Sequence, residues 1–337
     1  GSSGQIKFAV HTWDGLVGSI QGFVAHFEVK PVHAYCVLPL FHVSGLMQAL
    51  RVLATGGCLA LQPYRELKAG KRLPLPAGGF LSLVPTQLQT LLTRGGEFIP
   101  WLQSFRAVLL GGAPAWRSLL DQAQTAKIPV ALTYGMTETA AQVATLLPEE
   151  FLSGNRSSGR PLPHAELSIL NDRGQSQPPD QPGEVVIRAA SLARGYLQSR
   201  AVVPAASSLA TDDIGYLDGG GYLHIIGRSS SKIITGGENV FPEEIEAVLL
   251  SVNRVSEACV VGLPCDRWGQ QLCALVVTDS STLLKTLPVS LRSLAAYKCP
   301  KQWILVGALP RTAQGKLSRS RALALAQWVL DIKPHLL

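Results

Sequence analysis

The chain has 337 residues, enough for two or three domains with a substantial core. Its content of 47% hydrophobic and 16% charged residues excludes a disordered protein, and no apolar run is long enough to span a membrane. The formal net charge of +7 is compatible with a polyanionic ligand or nucleic acid, but no basic run is dense enough to indicate a nucleic-acid-binding arm.

The first 130 residues alternate short strands with amphipathic helices, which predicts α/β layering. Residues 35–40 are apolar and predict a buried strand. A loop is predicted at 41–45 and a helix over 46–54.

A strand–helix–strand unit is predicted next, with a strand at 107–110, a helix at 116–127 and a strand at 130–133. Ligands of such sheets bind beyond the carboxyl ends of the strands. The loops that follow residues 110 and 133 are therefore candidate ligand-binding loops.

Between residues 152 and 227, Gly and Pro separate short β-rich segments such as 165–170 and 184–188. Residues 171–183 include three prolines and predict a turn-rich loop. This pattern predicts a small barrel or sandwich.

A compact α+β unit is predicted after Arg228, with a helix over 242–250 and a strand near 258–261. Pro242 suits a first helical turn, and Glu243 and Glu244 suit the N-terminal dipole. The predicted organisation is a large domain at 1–228, divided into an α/β part at 1–150 and a β-rich part at 151–228, and a small C-terminal domain at 229–337.

Four short motifs occur in order: YGMTET at 134–139, TDDIGY at 211–216, GR at 227–228 and PRTAQGK at 310–316. Each is weak alone, but together they resemble the core motifs of the adenylate-forming superfamily, which includes acyl-CoA synthetases, luciferases and peptide-synthetase adenylation domains. Those enzymes activate a carboxylate with ATP as an acyl-adenylate and usually transfer the acyl group to a thiol. The resemblance implies ATP, Mg²⁺ and coenzyme A as ligands, and a large α/β domain followed by a small mobile α+β domain.

Thr137 and Glu138 follow a predicted strand at a turn. A Thr hydroxyl there can donate to a phosphate oxygen, and a carboxylate can hold Mg²⁺ against the phosphates. The resemblance assigns these roles to Thr137 and Glu138, with Tyr134 and Gly135 beside the nucleotide. The alternative is a helix N-cap, for which Thr followed by Glu is suitable.

Lys316 is the predicted catalytic cation. Attack of a carboxylate on the α-phosphorus brings two anions together, and an ammonium group that bridges them stabilises the transition state. A lone Lys would ordinarily be a solvated side chain, but PRTAQGK is a turn-rich loop that could deliver it.

Asp213 matches the acidic residue that binds the ribose in the superfamily. Arg228 matches the superfamily's second ribose-binding residue. Asp212 stands where Gly is usual, and its charge has no explanation in the sequence. A solvated turn Asp is the alternative for Asp213. Gly111, Gly112 and Ala113 match the segment that lines the adenine, where missing side chains let a flat base approach the backbone.

The first seven residues, GSSGQIK, match the superfamily's phosphate loop, a Gly/Ser/Thr-rich segment closed by Lys. Ser2, Ser3 and Lys7 are then phosphate ligands, and the chain lacks the segment that normally precedes this loop. The alternative is that GSSG is a cloning remnant, although a tag would not be expected to supply Lys7.

Ser230 lies where the superfamily places the hinge between its adenylating and thioester-forming poses, and a small residue there tolerates changing dihedral angles. Gly236 and Gly237 match residues that flank the pantetheine channel of coenzyme A. A simple tight turn is the alternative for these two glycines.

The acid substrate is predicted from PLFHVSG at 39–45 and from Arg51, which resemble the o-succinylbenzoate–CoA ligases of menaquinone and phylloquinone biosynthesis. That substrate has two carboxylates, and a guanidinium suits the one that is held without being activated. His42 and Ser44 would line the acyl pocket. The alternatives are an Arg51 paired with a structural Asp or Glu and a hydrogen-bonded core His42.

The predicted function is an AMP-forming acid–CoA ligase whose partners are a small carboxylic acid, ATP and coenzyme A. A CoA ligase for another aryl or fatty acid and a non-catalytic nucleotide-binding relative are the alternatives. Six cysteines without a CxxC pair or metal-ligand spacing, and no signal peptide, favour the cytoplasm. A homodimer is compatible with the sequence, which does not fix the oligomeric state.

Overall fold

The computed structural model describes residues 8–198, 201–204, 206–280, 282–283, 286–311 and 317–332. The chain divides into two compact units. The first extends to residue 225 except for 116–118, which group with the second unit at 226–337. The predicted boundary at residue 228 is close to this division and stays a prediction.

The elements are numbered in chain order. The strands are β1 (Phe8–Val10), β2 (Ala34–Cys36), β3 (Leu59–Leu61), β4 (Phe80–Leu83), β5 (Ala107–Leu110), β6 (Val130–Met136), β7 (Ala141–Thr145), β8 (Arg160–Pro161), β9 (Ala165–Leu170), β10 (Gly183–Ala189), β11 (Gly195–Gln198), β12 (Ala201–Pro204), β13 (Leu209–Leu217), β14 (Leu223–Arg228), β15 (Ile233–Thr235), β16 (Glu238–Val240), β17 (Val255–Cys265), β18 (Gly269–Thr278) and β19 (Gln302–Leu305). The helices are α1 (Trp13–Phe27), α2 (Val43–Thr55), α3 (Tyr64–Lys68), α4 (Pro85–Arg94), α5 (Phe98–Gln103), α6 (Arg117–Thr125), α7 (Pro148–Leu152), α8 (Pro242–Leu250), α9 (Leu287–Ser290) and α10 (Arg319–Ile332). None of the helices in the described ranges has the length and apolar character needed to cross a membrane.

The first unit is built on a seven-stranded sheet in the order β3-β2-β4-β5-β6-β7-β8. The pairs from β3 to β6 are parallel, and β7 and β8 are antiparallel to their neighbours. Strands β4 and β5 are fully buried, which explains why all their residues except Ser82 are apolar. The predicted strand–helix–strand unit is therefore confirmed as β5, α6 and β6.

Aromatic packing secures α1 to this sheet. The Thr12 hydroxyl accepts a hydrogen bond from the Gly15 backbone N–H (3.2 Å) and caps the helix. Phe23 and Phe27 are buried, and their ring centroids lie 4.9 and 5.0 Å from that of Phe80 in β4. Edge-on contacts of this kind add to the hydrophobic stabilisation of the core.

The β-rich part forms two open sheets. One has the order β14-β13-β10-β9, and the other joins β11 and β12 to β1. Of the two predicted alternatives, a barrel or a sandwich, a closed barrel is not formed by the strands that the structure describes, because each of these two sheets ends in an edge strand. The four-stranded sheet instead packs its apolar residues on Val143 and Ala144 of β7, because one face of an antiparallel sheet must be covered.

The second unit is an α+β domain, as predicted. Its sheet has the order β16-β15-β18-β17, with β19 parallel to β18. Alternate residues of β17 point to opposite faces: Val260 packs with α8, whereas Cys259 and Val261 pack with α10. The predicted helix over 242–250 is confirmed as α8.

Two predicted elements near residue 40 have different limits in the structure. Strand β2 ends at Cys36 and not at residue 40, because a turn in which the His42 N–H donates to the Pro39 carbonyl (3.0 Å) follows it. Helix α2 begins at Val43, three residues before the predicted start. These corrections place His42 at the N-cap of α2.

Candidate active site

A single 3₁₀ turn at Thr137–Thr139 follows β6. The Thr139 hydroxyl is buried; it accepts from the Met136 N–H (2.9 Å) and donates to the Ala141 carbonyl (2.6 Å). Thr139 therefore caps the turn, and the N-cap interpretation of Thr137 is wrong. The Thr137 side chain is exposed and available to a ligand.

The turn is held in an unfavourable backbone conformation. Ala140 and Ala141 have φ values of 50° and 78°, in the left-handed region that residues other than Gly rarely adopt. The Thr137 carbonyl is also hydrogen-bonded to His11 Nε2 (2.8 Å). Strained backbone that is fixed from several sides is typical of functional turns.

Glu138 is held by the segment that leads into β11. The Ala193 N–H donates to the Glu138 carbonyl (2.8 Å), and the Tyr196 hydroxyl donates to Glu138 Oε1 (2.5 Å). Burial, reinforced by this hydrogen bond to Glu138, raises the pKa of Tyr196 to about 12. Sequence reasoning missed Tyr196, because nothing in its local sequence connects it with a residue 58 positions earlier.

Asp213 lies in β13 and is only 7% exposed. Its Oδ2 accepts a hydrogen bond from the Tyr134 hydroxyl (2.8 Å), so two predicted nucleotide-binding residues meet. The interpretation as a solvated turn Asp is wrong. Asp212 is exposed because successive residues of a strand point to opposite faces.

The loops after β5 and β6 lie at the same edge of the parallel sheet, since both follow the carboxyl ends of paired strands. The first contains Gly111, Gly112 and Ala113, of which Gly112 and Ala113 are exposed. Gly135, which follows Tyr134 in β6, is exposed as well. The structure thus brings the predicted adenine loop and the predicted phosphate and metal turn to one edge.

The predicted acyl-pocket residues lie along α2. Ser44, Gln48 and Arg51 are spaced i, i+4 and i+7 and therefore share one helix face. His42 and Ser44 are exposed, whereas Arg51 is 3% exposed. The interpretation of His42 as a core residue is wrong.

Arg51 is a buried cation with neutral neighbours. Its Nη2 donates to Gln142 Oε1 (3.1 Å), and its guanidinium lies 4.0 Å from the centroid of the Phe23 ring. Nε has no hydrogen-bond partner, and burial lowers the pKa of Arg51 to about 9. Within the described ranges no carboxylate pairs with Arg51, so the structural Asp or Glu partner is not found there.

His164 is a further buried group that sequence reasoning missed. Neither of its ring nitrogens has a hydrogen-bond partner among the described residues. Burial, followed by the positive charge of Arg51, lowers the pKa of His164 to about 4. The sequence offers no signal for it, because the proximity of His164 to Arg51 arises from the fold.

In the second unit, Gly236 and Gly237 connect β15 to β16. Both have positive φ, 58° and 86°, as a two-residue hairpin turn requires. The tight-turn interpretation is therefore correct, and it does not exclude a role at a ligand. Arg228, at the end of β14, and Ser230, in the 3₁₀ turn Ser229–Ser231, are exposed.

Ser2, Ser3, Lys7 and Lys316 lie outside the described residues. The residues on either side of 312–316 are paired with each other, because Arg311 and Leu317 form an antiparallel bridge. The Ser318 N–H also donates to the Pro310 carbonyl (2.9 Å).

Arg319, at the start of α10, anchors this connection in a partly buried cluster of charges. Its Nη1 lies 2.5 Å from Glu246 Oε1, and its Nη2 lies 2.8 Å from Glu246 Oε2. The same Nη2 donates to Glu243 Oε1 (2.9 Å), which also accepts from the Ser231 hydroxyl (2.8 Å). Sequence reasoning did not identify Arg319.

Magnesium fits Glu138. In the part of the chain that the structure describes, no group of three or more His, Cys, Asp or Glu side chains is placed to hold a metal ion. Mg²⁺ is commonly bound through one or two carboxylates together with substrate phosphates. Glu138 is half-buried, and its Oε1 alone accepts a hydrogen bond from a described residue, so Oε2 is available to a metal.

Comparison with known proteins places the chain in a family. The family model described as AMP-binding enzyme matches residues 1–197, and that of the AMP-binding enzyme C-terminal domain matches residues 244–316. A 2-succinylbenzoate–CoA ligase of Geobacillus sp. (strain WCH70) is 38% identical over 333 residues, which cover 95% of this chain and 66% of the relative.

Two solved structures of o-succinylbenzoate CoA synthetase from Bacillus subtilis are also similar. The complex with the acyl-adenylate intermediate OSB-AMP has a TM-score of 0.84 at 32% identity, covering 96% of this chain and 67% of that one. The complex with ATP and magnesium has a TM-score of 0.81 at 32% identity, covering 95% and 68%. The chain spans about two thirds of the length of these relatives.

The predicted α/β fold class and the predicted resemblance to o-succinylbenzoate–CoA ligases are thereby confirmed. The order of motifs, the fold and the matches over both units agree. The chain belongs to the AMP-binding enzyme family, the adenylate-forming superfamily that its motifs resemble.

Proposed function

We propose that this protein is an ATP-dependent, AMP-forming acid–CoA ligase that acts on o-succinylbenzoate. The observation that carries the proposal is that Tyr134, Thr137 and Glu138 lie together at the carboxyl end of β6, where the Tyr134 hydroxyl donates a hydrogen bond to Asp213 of β13. The similar synthetase from Bacillus subtilis has been solved with OSB-AMP and with ATP and magnesium.

In the first half-reaction, the substrate carboxylate attacks the α-phosphorus of ATP and releases pyrophosphate. Asp213 and Arg228 hold the ribose, and Gly111–Ala113 leave room for the adenine. Thr137 donates to a phosphate oxygen, and Glu138 would hold Mg²⁺, which neutralises phosphate charge. Lys316 supplies the ammonium that bridges the two reacting anions, since charge on the phosphoryl oxygens dominates this barrier.

In the second half-reaction, the thiolate of coenzyme A attacks the mixed anhydride and AMP leaves as a stabilised anion. Ser230 is the hinge residue in this proposal, and Gly236 and Gly237 flank the pantetheine. The reaction needs no covalent intermediate on the protein. The buried thiols of Cys36, Cys259 and Cys273 therefore need no catalytic role.

Arg51 supports the choice of acid. A buried guanidinium without an anionic partner is unfavourable, and a substrate carboxylate would supply that partner. Gln48 lies on the same helix face between Ser44 and Arg51, and its buried Oε1 also has no partner among the described residues. The apolar tunnel of a fatty-acid ligase would not need a cation at this position.

Formation of CoA thioesters from ATP and a panel of acids, with Lys316→Ala alongside, tests the function. Turnover of o-succinylbenzoate that is lost in Lys316→Ala would support both the proposed substrate and the catalytic role of Lys316. Turnover of another acid alone would contradict the proposed substrate but agree with the proposed mechanism. Absence of turnover with ATP still bound would favour the non-catalytic alternative.

A cytoplasmic location and a homodimer complete the proposal. All six cysteines are free thiols in the structure, which agrees with a reducing compartment. Cell fractionation and light scattering of the purified protein test these two points.

A further inference from the structure

The Tyr196 hydroxyl is hydrogen-bonded to the carboxylate of Glu138, the proposed metal ligand. Tyr196 is the second residue of β11, and its backbone is paired on one side with Ala9 and on the other with Val203. A phenol on a strand paired on both sides has little freedom to move. Its hydroxyl donates to Glu138 Oε1 at 2.5 Å.

The contact fixes a carboxylate that would otherwise rotate. Backbone hydrogen bonds place the Glu138 main chain, including the 2.8 Å bond from the Ala193 N–H to the Glu138 carbonyl, but they do not set the carboxylate plane. The phenol holds Oε1 and directs Oε2 elsewhere.

We propose that Tyr196 is a positioning residue for the metal, which orients Glu138 so that Oε2 binds the Mg²⁺ of the Mg·ATP complex. This inference rests on the proposed function, because it takes Glu138 as the metal ligand. Groups that hydrogen-bond to a metal ligand commonly change metal affinity by about 10- to 100-fold. Removal of the hydroxyl should therefore weaken metal binding and leave nucleotide binding unchanged.

Tyr196→Phe tests the proposal, because it deletes one oxygen atom and keeps the ring. Tyr222→Phe is a matched control: the Tyr222 hydroxyl donates to Glu150 Oε1 (2.6 Å), another phenol–carboxylate pair, to which the proposed chemistry assigns no role. Electron paramagnetic resonance would measure Mn²⁺ binding to each variant with α,β-methylene-ATP, which cannot be cleaved at the α-phosphorus.

The expected result is Mn²⁺ binding about tenfold weaker or more in Tyr196→Phe and unchanged in Tyr222→Phe. Affinity for the analogue without metal should be unchanged, and saturating Mg²⁺ should restore kcat, which a general loss of structure would not allow. In a Glu138→Gln background, Tyr196→Phe should have no additional effect.

Two results would overturn the inference in different ways. If Glu138→Gln weakens Mn²⁺ binding and Tyr196→Phe alters it less than twofold, the positioning role is contradicted and the proposed function stands. If Glu138→Gln itself leaves Mn²⁺ binding unchanged, the metal role in the proposed function is wrong, and the role of Tyr196 fails with it.

Discussion

Arg51 and His164 are buried polar residues whose hydrogen-bonding groups are not all satisfied by the described residues. Arg51 has an amide and an aromatic ring as neighbours, and His164 has two ring nitrogens without partners in the described structure. Such groups destabilise a core unless a ligand satisfies them. Stability and substrate binding should therefore respond in opposite directions when Arg51 is replaced.

Arg51→Met is expected to separate the two effects. Loss of a charge-assisted hydrogen bond to the substrate, worth about 1.5–3 kcal/mol, should raise the KM for o-succinylbenzoate by about 10- to 100-fold. The free energy of unfolding should stay the same or rise, because an unpaired buried charge is removed. Steady-state kinetics and urea unfolding measure these quantities. A large loss of stability with an unchanged KM would identify Arg51 as structural.

His164 should make the protein less stable in acid. Its pKa is about 4 in the folded state and near 6.5 when unfolded, so between these values the unfolded chain binds more protons. The free energy of unfolding should fall by up to about 3 kcal/mol as the pH drops from 6.5 to 4. In His164→Gln this part of the pH dependence should be absent. An identical dependence in the variant would show that other groups cause it.

At the scale of elements, the ion pairs of Arg319 with Glu246 and Glu243 hold the start of α10. Arg319 forms a bidentate pair with Glu246, which is 8% exposed and also accepts a hydrogen bond from the Val260 N–H (2.7 Å). Removing the cation would leave the Glu246 carboxylate buried without its counter-charge. The start of α10, just after Lys316, is thus held from within the small domain.

Arg319→Met should lower the free energy of unfolding by about 3–5 kcal/mol. Arg254→Met is the control, because its pair with Asp279 (2.7 Å) is exposed and should contribute less than about 1 kcal/mol. Denaturant unfolding followed by circular dichroism compares the two. Equal effects from both substitutions would contradict the anchoring role.

Local sequence predicted elements better than it predicted their contacts. The strand at 107–110 and the helix at 242–250 were predicted correctly, because an apolar run and a proline with two glutamates are local signals. The choice between a barrel and a sandwich could not be made from local sequence, because β11 pairs with β1, far away in sequence. The pairs Tyr196–Glu138 and Arg319–Glu246 were missed for the same reason. The motif resemblance named Tyr134 and Asp213 as candidates but did not predict the hydrogen bond between them.

At the scale of the whole molecule, each unit has its own core, and the proposed chemistry draws on both. Thr137, Glu138 and Asp213 belong to the first unit, and Ser230 belongs to the second. The two half-reactions should therefore be separable by substitution in the small domain alone. Synthetic acyl-adenylate allows the second half-reaction to be measured without the first.

Ser230→Pro and Lys316→Ala should have complementary effects. Proline fixes φ near −65° and restricts a hinge, so Ser230→Pro should slow thioester formation from the synthetic adenylate and leave adenylation intact. Lys316→Ala should slow adenylation by about 100-fold or more and spare thioester formation. Rapid-quench kinetics of each half-reaction measures both. Equal losses in both steps for either variant would contradict this assignment.

Exchange of labelled pyrophosphate into ATP tests the central claim most directly, because it reports adenylation without coenzyme A. The proposed mechanism predicts exchange that depends on o-succinylbenzoate and Mg²⁺ and is lost in both Lys316→Ala and Glu138→Gln. If no acid supports exchange although ATP binds, or if either variant exchanges at the rate of the parent protein, the proposed mechanism is contradicted.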